Sequence, residues 1–284
     1  MPAHTTSRRS AFTLIEMLVS IAIIVLLVSI LLPCLAQARG AARQTRELAA
    51  GQQQMLAFTL YANDHDSRVL PGFLPASEAV GIDATGSRIS GPTAQRYPWR
   101  LAPQYDYDFN GLYYSDKALR DLRNEPTSFE YLVSLFPLLG MNTQFVGGDA
   151  RYFGFDSRFS RFFGKFYIER MHQPLRPSQL LVFVSARPSP QALAGVAIED
   201  NLPGYHHVLA PRFADPSPVQ WADRYDDRTE TPGNNSGFVA LRHGGKAVGA
   251  TFDGHAELLD WEELRDMRRW ANGATSAHWS LQAR

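Results

Sequence analysis

Between Phe12 and Leu32 nearly every residue is apolar. This run of about 21 residues makes a helix of ~31 Å, enough for a hydrocarbon core of about 30 Å. It constrains the chain more than any other stretch, because it can cross a lipid bilayer once. Mean hydropathy over the whole chain is near neutral, which excludes a polytopic membrane protein and leaves room for one span. The only ionisable residue inside the run is Glu16. A carboxylate one turn into a membrane helix is costly and needs a partner. Ser20 and Ser29 are tolerable, since a helical hydroxyl can bond back to the preceding turn.

Charge and cysteine content narrow the rest. Lys and Arg number 28, as do Asp and Glu, so no global field for polyanions is present. The single cysteine, Cys34, excludes an intrachain disulfide framework and a Cys-based zinc cluster. No nucleophile elbow, phosphate loop, HExxH or paired-carboxylate constellation is present. The chain therefore offers no catalytic residues, no metal ligand set and no cofactor site. Its 284 residues are ample for a packed core, as one large domain or two small ones.

A secretory signal would have a shorter apolar region and a small-residue cleavage site after it. Here the run is long, and PCLAQARGAARQTRE continues it as helix. A plain signal anchor fits the span but leaves Glu16 unexplained. The segment AFTLIEMLVSIAII, behind a short basic leader, closely resembles the prepilin signal of type IV pilins and type II secretion pseudopilins. The resemblance implies cleavage between Ala11 and Phe12 by a prepilin peptidase, which also N-methylates Phe12. Glu16 is then the fifth residue of the mature chain, where the family keeps a Glu that neutralises a free N-terminal amine. Pro33 matches a helix-bending proline of the family. One residue departs from the pattern: Ala11 stands where the family prefers Gly, which implies slower cutting. Arg8 and Arg9 hold the leader in the cytoplasm under the positive-inside rule. Arg39, Arg43 and Arg46 on the other side weaken that argument, so orientation rests partly on the resemblance.

Beyond the span, Gln37 to Asn63 lacks proline and is rich in helix formers. Leu48, Met55, Leu56, Thr59 and Asn63 recur at helical spacing and predict one face packed on a head domain. A helix from Phe12 to Asn63 would be ~75 Å long. YANDHDSRVLPG ends it. Its Asn and Asp residues compete for backbone hydrogen bonds, and Pro71-Gly72 forces a turn. The spacing lacks the glycine and terminal Glu of a calcium loop, which favours a capping role.

In the middle, Tyr97, Trp99, Tyr105, Tyr107, Phe109, Tyr113 and Tyr114 fall beside Asp106 and Asp108. Exposed, they would suit a sugar platform; the favoured expectation is burial beneath loops. SFEYLVSLFPLLG predicts a helix opening at Thr127 or Ser128, with Phe129, Leu132, Leu135 and Phe136 on one face. Asp156 can cap a helix whose Phe159, Phe162, Phe163 and Phe166 form a core stripe opposite Arg158, Arg161 and Lys165. QLLVFVSAR reads as a buried strand. His206-His207 invites a metal reading, but adjacent residues of an extended chain point to opposite faces.

Near the C-terminus, NSGFVALRHGGKAVGATFDGHAELLDWEELRDM resembles the His-x9-Asp-Gly signature of many bacterial prepilin-like proteins, through His243, Asp253 and Gly254. The residues themselves predict three antiparallel strands: one around Phe238 and Ala240, one over 247–252 and one over 256–259. Gly244-Gly245 is the first turn and Asp253-Gly254 a type I′ turn. A strand between them sets His243 and Asp253 ~20 Å apart, which makes the motif two turn specifications rather than a pair. Asp260 and Glu263 form a capping box for a helix running to Trp270.

The expected fold is α+β: a long N-terminal helix packed on an antiparallel sheet. The expected organisation is a leader at 1–11, a membrane span at 12–33, a helical spine at 34–64 and a head at 65–284. The head includes hairpins at 237–259 and a helix at 260–271. The resemblance implies a structural subunit of a type IV pilus or a type II secretion pseudopilus. It would sit in the inner membrane, with the N-terminus cytoplasmic and the head periplasmic or extracellular. Its partners would be the prepilin peptidase and N-methyltransferase, other pilin or pseudopilin subunits and an inner-membrane assembly platform. No small-molecule or nucleic-acid ligand is called for. Two alternatives are a pilin-anchored module binding polysaccharide or DNA through the aromatic middle, and a membrane-anchored enzyme.

Overall fold

A computed structural model describes residues 13–112, 116–124, 128–194, 196, 204–214 and 221–283. Ala11 and Phe12, the expected cleavage pair, lie outside the described residues, as do Tyr113, Tyr114 and Thr127. The longest element is helix α1, Leu14–Asp64. The chain divides into two units, Met1–Arg43 and Gln44–Arg284, and α1 contributes to both.

In the first unit the apolar side chains from Leu14 to Leu35 are exposed along the helix. This helix alone among the described residues is long and apolar enough to cross a membrane. Its polar groups are satisfied locally. The Ser20 hydroxyl donates to the Glu16 carbonyl at 2.7 Å, and the Ser29 hydroxyl donates to that of Leu26 at 2.7 Å. Pro33 lies within the helix.

The second unit is built on a five-stranded sheet. Its strands are β3 (Leu139–Asn142), β4 (Leu181–Ser185), β5 (His207–Val208), β6 (Ala247–Thr251) and β7 (Ala256–Leu259), in the order β5-β3-β4-β6-β7. A separate ribbon pairs β1 (Gly81–Ile82) with β2 (Arg88–Ile89). The sheet is antiparallel except at one edge, where β5 runs parallel to β3 with Met141 opposite His207. The expected all-antiparallel sheet is corrected there. A second correction concerns the segment around Phe238. It makes only an isolated bridge, Val239 to Ala186, because Gly237 and Phe238 take φ of 58° and 69° and break the extended backbone. On the side away from β7, the neighbour of β6 is therefore β4, brought from 60 residues or so upstream.

Both faces of the sheet are covered, and the continuous apolar run of β4 follows from that. On one face lies the second part of α1. Phe58 meets Phe183 and Phe252 edge to face, at centroid distances of 6.1 and 5.7 Å. At Gly51 a Cβ would stand 3.3 Å from that of Ala250 and 3.4 Å from that of Ala256, so the helix comes close to β6 and β7 there. The buried face of α1 is Glu47, Ala50, Gly51, Gln54, Met55, Ala57, Phe58 and Ala62. Of the face expected from sequence, Met55 is buried, but Leu56 and Asn63 are exposed. Small and polar residues hide the true period.

The other face carries Phe145, Phe213, Trp221, Leu264 and Trp270 against Leu181, Val184 and Leu259. Helix α2 (Phe129–Leu135), opened by Ser128, helps bury Trp99, Phe109 and Leu112 in a third cluster. Helix α3 (Ser157–Phe163) is capped by Asp156, which accepts from the Arg158 and Phe159 amides. Its aromatic stripe is only partly core: Phe166 is buried, Phe159 and Phe163 are half-buried, and Phe162 is exposed. The capping box of Asp260 and Glu263 opens helix α4, which stops at Leu264. The expected continuation to Trp270 is replaced by a 3-10 turn, because Asp266 caps a new start by accepting from the Arg268 amide.

Candidate functional site

At its first residues α1 carries a Thr-x-x-Glu capping box. The Thr13 amide and hydroxyl both donate to Glu16 Oε2 at 2.8 Å, and the Glu16 amide donates back to Thr13 Oγ at 3.3 Å. The lone ionisable group of the apolar run is thereby hydrogen-bonded within its own chain. Its side chain remains exposed, open to a further partner.

A second glutamate of the same helix, which sequence reasoning passed over, is built differently. Glu47 lies on α1 at 0% exposure. Its three partners come from two distant places in the chain. The Ser185 hydroxyl, at the end of β4, donates to Oε1 at 2.5 Å. His243 Nε2 lies 2.7 Å from Oε2, and Arg242 Nη1 lies 3.5 Å from Oε1. A carboxylate can only accept there, so His243 carries its proton on Nε2. Burial pushes the Glu47 carboxyl up, but the Arg242 charge and the bonds from His243 and Ser185 outweigh it. The group is held below the usual carboxylate range. Ser185 Oγ also accepts from the Val248 amide at 2.8 Å, and Arg242 donates to the Ala186 carbonyl. The cluster thus joins α1, β4 and the entry to β6. Glu47 was legible only as a residue among good helix formers; its distinguishing sign is that it shares a helix face with Ala50, Gly51 and Gln54.

His243 closes its turn through the backbone. Its amide donates to the Lys246 carbonyl at 3.0 Å and the Lys246 amide donates back at 3.2 Å, around Gly244 and Gly245 at φ 61° and 82°. Asp253 stands at the far end of β6. Its Oδ1 accepts from the Thr251 hydroxyl at 2.7 Å and the His255 amide at 3.2 Å. Slight burial raises its carboxyl, and these bonds more than offset the effect, leaving it lowered. The turn is not type I′. Only Gly254 has positive φ, 93°, and Thr251 pairs with both Gly254 and His255, giving a three-residue loop closed by a left-handed glycine. His243 and Asp253 therefore have separate partners.

The histidine pair corrects another expectation. His206 Nε2 and His207 Nδ1 stand 3.0 Å apart, both rings buried. Only His207 belongs to β5, so the alternation of an extended chain does not govern the two. Burial pushes both well below the ordinary histidine value, and Arg151 adds to this. Arg151 is itself fixed on Asp149 and opposes a cation beside the rings. No group of three metal-ligating side chains occurs among the described residues. In the aromatic middle, Tyr97, Trp99 and Phe109 are buried. The Tyr97 hydroxyl donates to the Leu139 carbonyl at 2.8 Å and Trp99 Nε1 to that of Glu130 at 2.7 Å, so these rings form no exposed platform.

Against known proteins, residues 6–32 match a family model described as the prokaryotic N-terminal methylation motif. No curated protein matches the chain, and no solved structure does. The match identifies a prepilin-type N-terminus. It implies, in general terms, a processing peptidase and other pilin subunits as partners. With the long apolar helix it points to membrane anchoring.

Proposed function

We propose that this chain is a prepilin-like structural subunit, cut between Ala11 and Phe12, N-methylated at Phe12 and assembled through α1 into a type IV pilus or a type II secretion pseudopilus. The observation that carries this reading is the methylation motif at 6–32, which opens directly into an exposed apolar helix. In this reading residues 1–11 are a cytoplasmic leader, 12–33 span the inner membrane, 34–64 are the spine and 65–284 the head. The new amine of Phe12 and the carboxylate of Glu16 neutralise each other, in one chain or between neighbours. That offsets the cost of placing either charge in lipid. An inner-membrane platform would drive assembly.

The His243–Glu47 bond gives the C-terminal signature a structural role. The histidine fastens the hairpin to the spine, and Asp253 with Gly254 shapes the turn that returns β7 to the sheet. The deciding experiment is mass spectrometry of the N-terminal peptide from cells with and without a prepilin peptidase. The expected product begins at N-methylated Phe12 and depends on the peptidase. An intact leader in both strains overturns the proposal.

A further inference from the structure

The side of α1 turned away from the sheet displays Gln53, Leu56 and Leu60, with the two leucines at 62% and 41% exposure. Between this side and the loop over 104–112 lies a cleft of about 210 Å³, with Gln54, Leu56 and Leu60 on one wall and Tyr105 and Leu112 on the other. Two of its lining side chains lack what their burial requires. Gln54 is 1% exposed, and neither its Oε1 nor its Nε2 has a hydrogen-bond partner. The Tyr105 hydroxyl is buried and likewise unpartnered. Buried polar groups in folded proteins are almost always paired, because an unmade bond forfeits the hydration they lost.

The chemistry of the missing partner is set by these orphaned groups. A carboxamide presents an acceptor and a donor side by side, and the group that answers both is another amide. Burial pushes the Tyr105 phenol well above its ordinary value, so it keeps its proton and asks for an acceptor, which a carboxamide oxygen can supply. Asp108, at the mouth, already accepts from the Asn110 amide at 3.0 Å. The walls are otherwise aliphatic, which suits an amide flanked by aliphatic side chains and does not suit an ion. The chain itself displays such a group: Gln53, Leu56 and Leu60 lie at i, i+3 and i+7 on the exposed side of α1. Water would satisfy the orphans but leave both leucines uncovered.

We propose that this cleft is a head-level contact between copies of the chain, in which a carboxamide and its flanking leucines from a neighbouring copy seat against Gln54 and Tyr105. The proposal rests on the assembly reading above.

The test uses the full-length chain, co-expressed with a prepilin peptidase, with photoreactive benzoylphenylalanine placed at Leu60, at Ile24 in the apolar run, or at Leu175, 75% exposed on the head. The expected result is copy-to-copy product at Leu60 and Ile24 and none at Leu175. Gln54→Met combined with Tyr105→Phe lowers the Leu60 product about tenfold. The same pair leaves the unfolding midpoint of the detergent-solubilised chain unchanged or raised, since it removes orphaned groups from the unassembled head. A lowered midpoint accompanying the loss assigns the two residues to the fold and overturns the contact. So does product at Ile24 with none at Leu60, equal product at Leu175, or a Leu60 product with a different protein; each of these leaves assembly standing. No product at either Leu60 or Ile24 overturns assembly and the contact together.

Discussion

Two glutamates on one helix show how differently the two units of this protein are made. Glu16 has its polar partner three residues away, in Thr13, and an exposed side chain. Glu47 has no exposure, and its partners Ser185 and His243 stand 138 and 196 residues away along the chain. The first is specified by five consecutive letters, Phe-Thr-Leu-Ile-Glu. The second exists only when α1, β4 and the start of β6 have come together. A carboxylate in an apolar setting needs compensation in both cases. Near the N-terminus compensation within the chain is local, and in the head it is tertiary.

The contrast is tested most forcefully at the second glutamate. Glu47→Ala leaves Arg242 and His243 buried without their carboxylate, and lowers the unfolding free energy of the head by about 3–5 kcal/mol. Glu16→Ala leaves the same transition within about 0.5 kcal/mol. Denaturant titration of the detergent-solubilised chain, followed by tryptophan fluorescence, measures both. Equal effects from the two variants would remove the distinction. Next in size is a pair two residues apart on α1, one facing the sheet and one facing away. Phe58→Ala opens a cavity between Phe183 and Phe252 and is expected to cost ~3–4 kcal/mol. Leu56→Ala changes an exposed position and is expected to shift stability by no more than about 0.5 kcal/mol.

His243 and Asp253, at the two ends of β6, separate by a smaller margin. His243→Ala removes one donor to a buried carboxylate and is expected to cost about 1–3 kcal/mol. Asp253→Ala removes a turn acceptor near the surface, for ~0.5–1 kcal/mol. Thermal unfolding of the two variants side by side checks the order.

Acid titration gives the finest cut. Glu47 is held below its ordinary 4.5, so its share of stability is full above that value and drains as pH falls through the folded one. His206 and His207 are held well below 6.5, so they take up protons in the unfolded chain first. Their share is full above 6.5 and begins to drain as pH drops below it. The head should therefore lose stability in two limbs. Glu47→Gln shrinks the lower limb to the share of the other lowered carboxyls, Asp253 among them, and keeps the upper; replacing both histidines by Asn removes the upper limb and keeps the lower. Unfolding free energy measured from pH 7 down to pH 3 in each variant reads the limbs separately.

Much of the fold was legible because its signals are local. The apolar run, the β4 strand, the Asp156 cap, the Asp260–Glu263 box and the glycine pair at 244–245 each rest on residues a few positions apart. The errors fall where a distant element decides. Leu56 looked like a core residue by period, yet the sheet selects the Ala50, Gly51 and Phe58 side, where small residues let the backbone approach. The segment at Phe238 looked like a strand, but β4 occupies the place beside β6. The helix after Trp261 looked continuous until Asp266 supplied a competing cap. His206 and His207 were expected to diverge, and the start of β5 between them brought their rings together instead.

The sequence by itself determined the membrane-length helix, the prepilin-type N-terminus that opens it and the α+β class of the head. These need only apolar length, a short motif and the periods of helix and strand. Only the tertiary structure decided which face of α1 is buried, that β5 runs parallel, and that His243 closes on Glu47. Those outcomes depend on close packing and on a buried charge finding its partners, and both draw together residues that the chain keeps far apart.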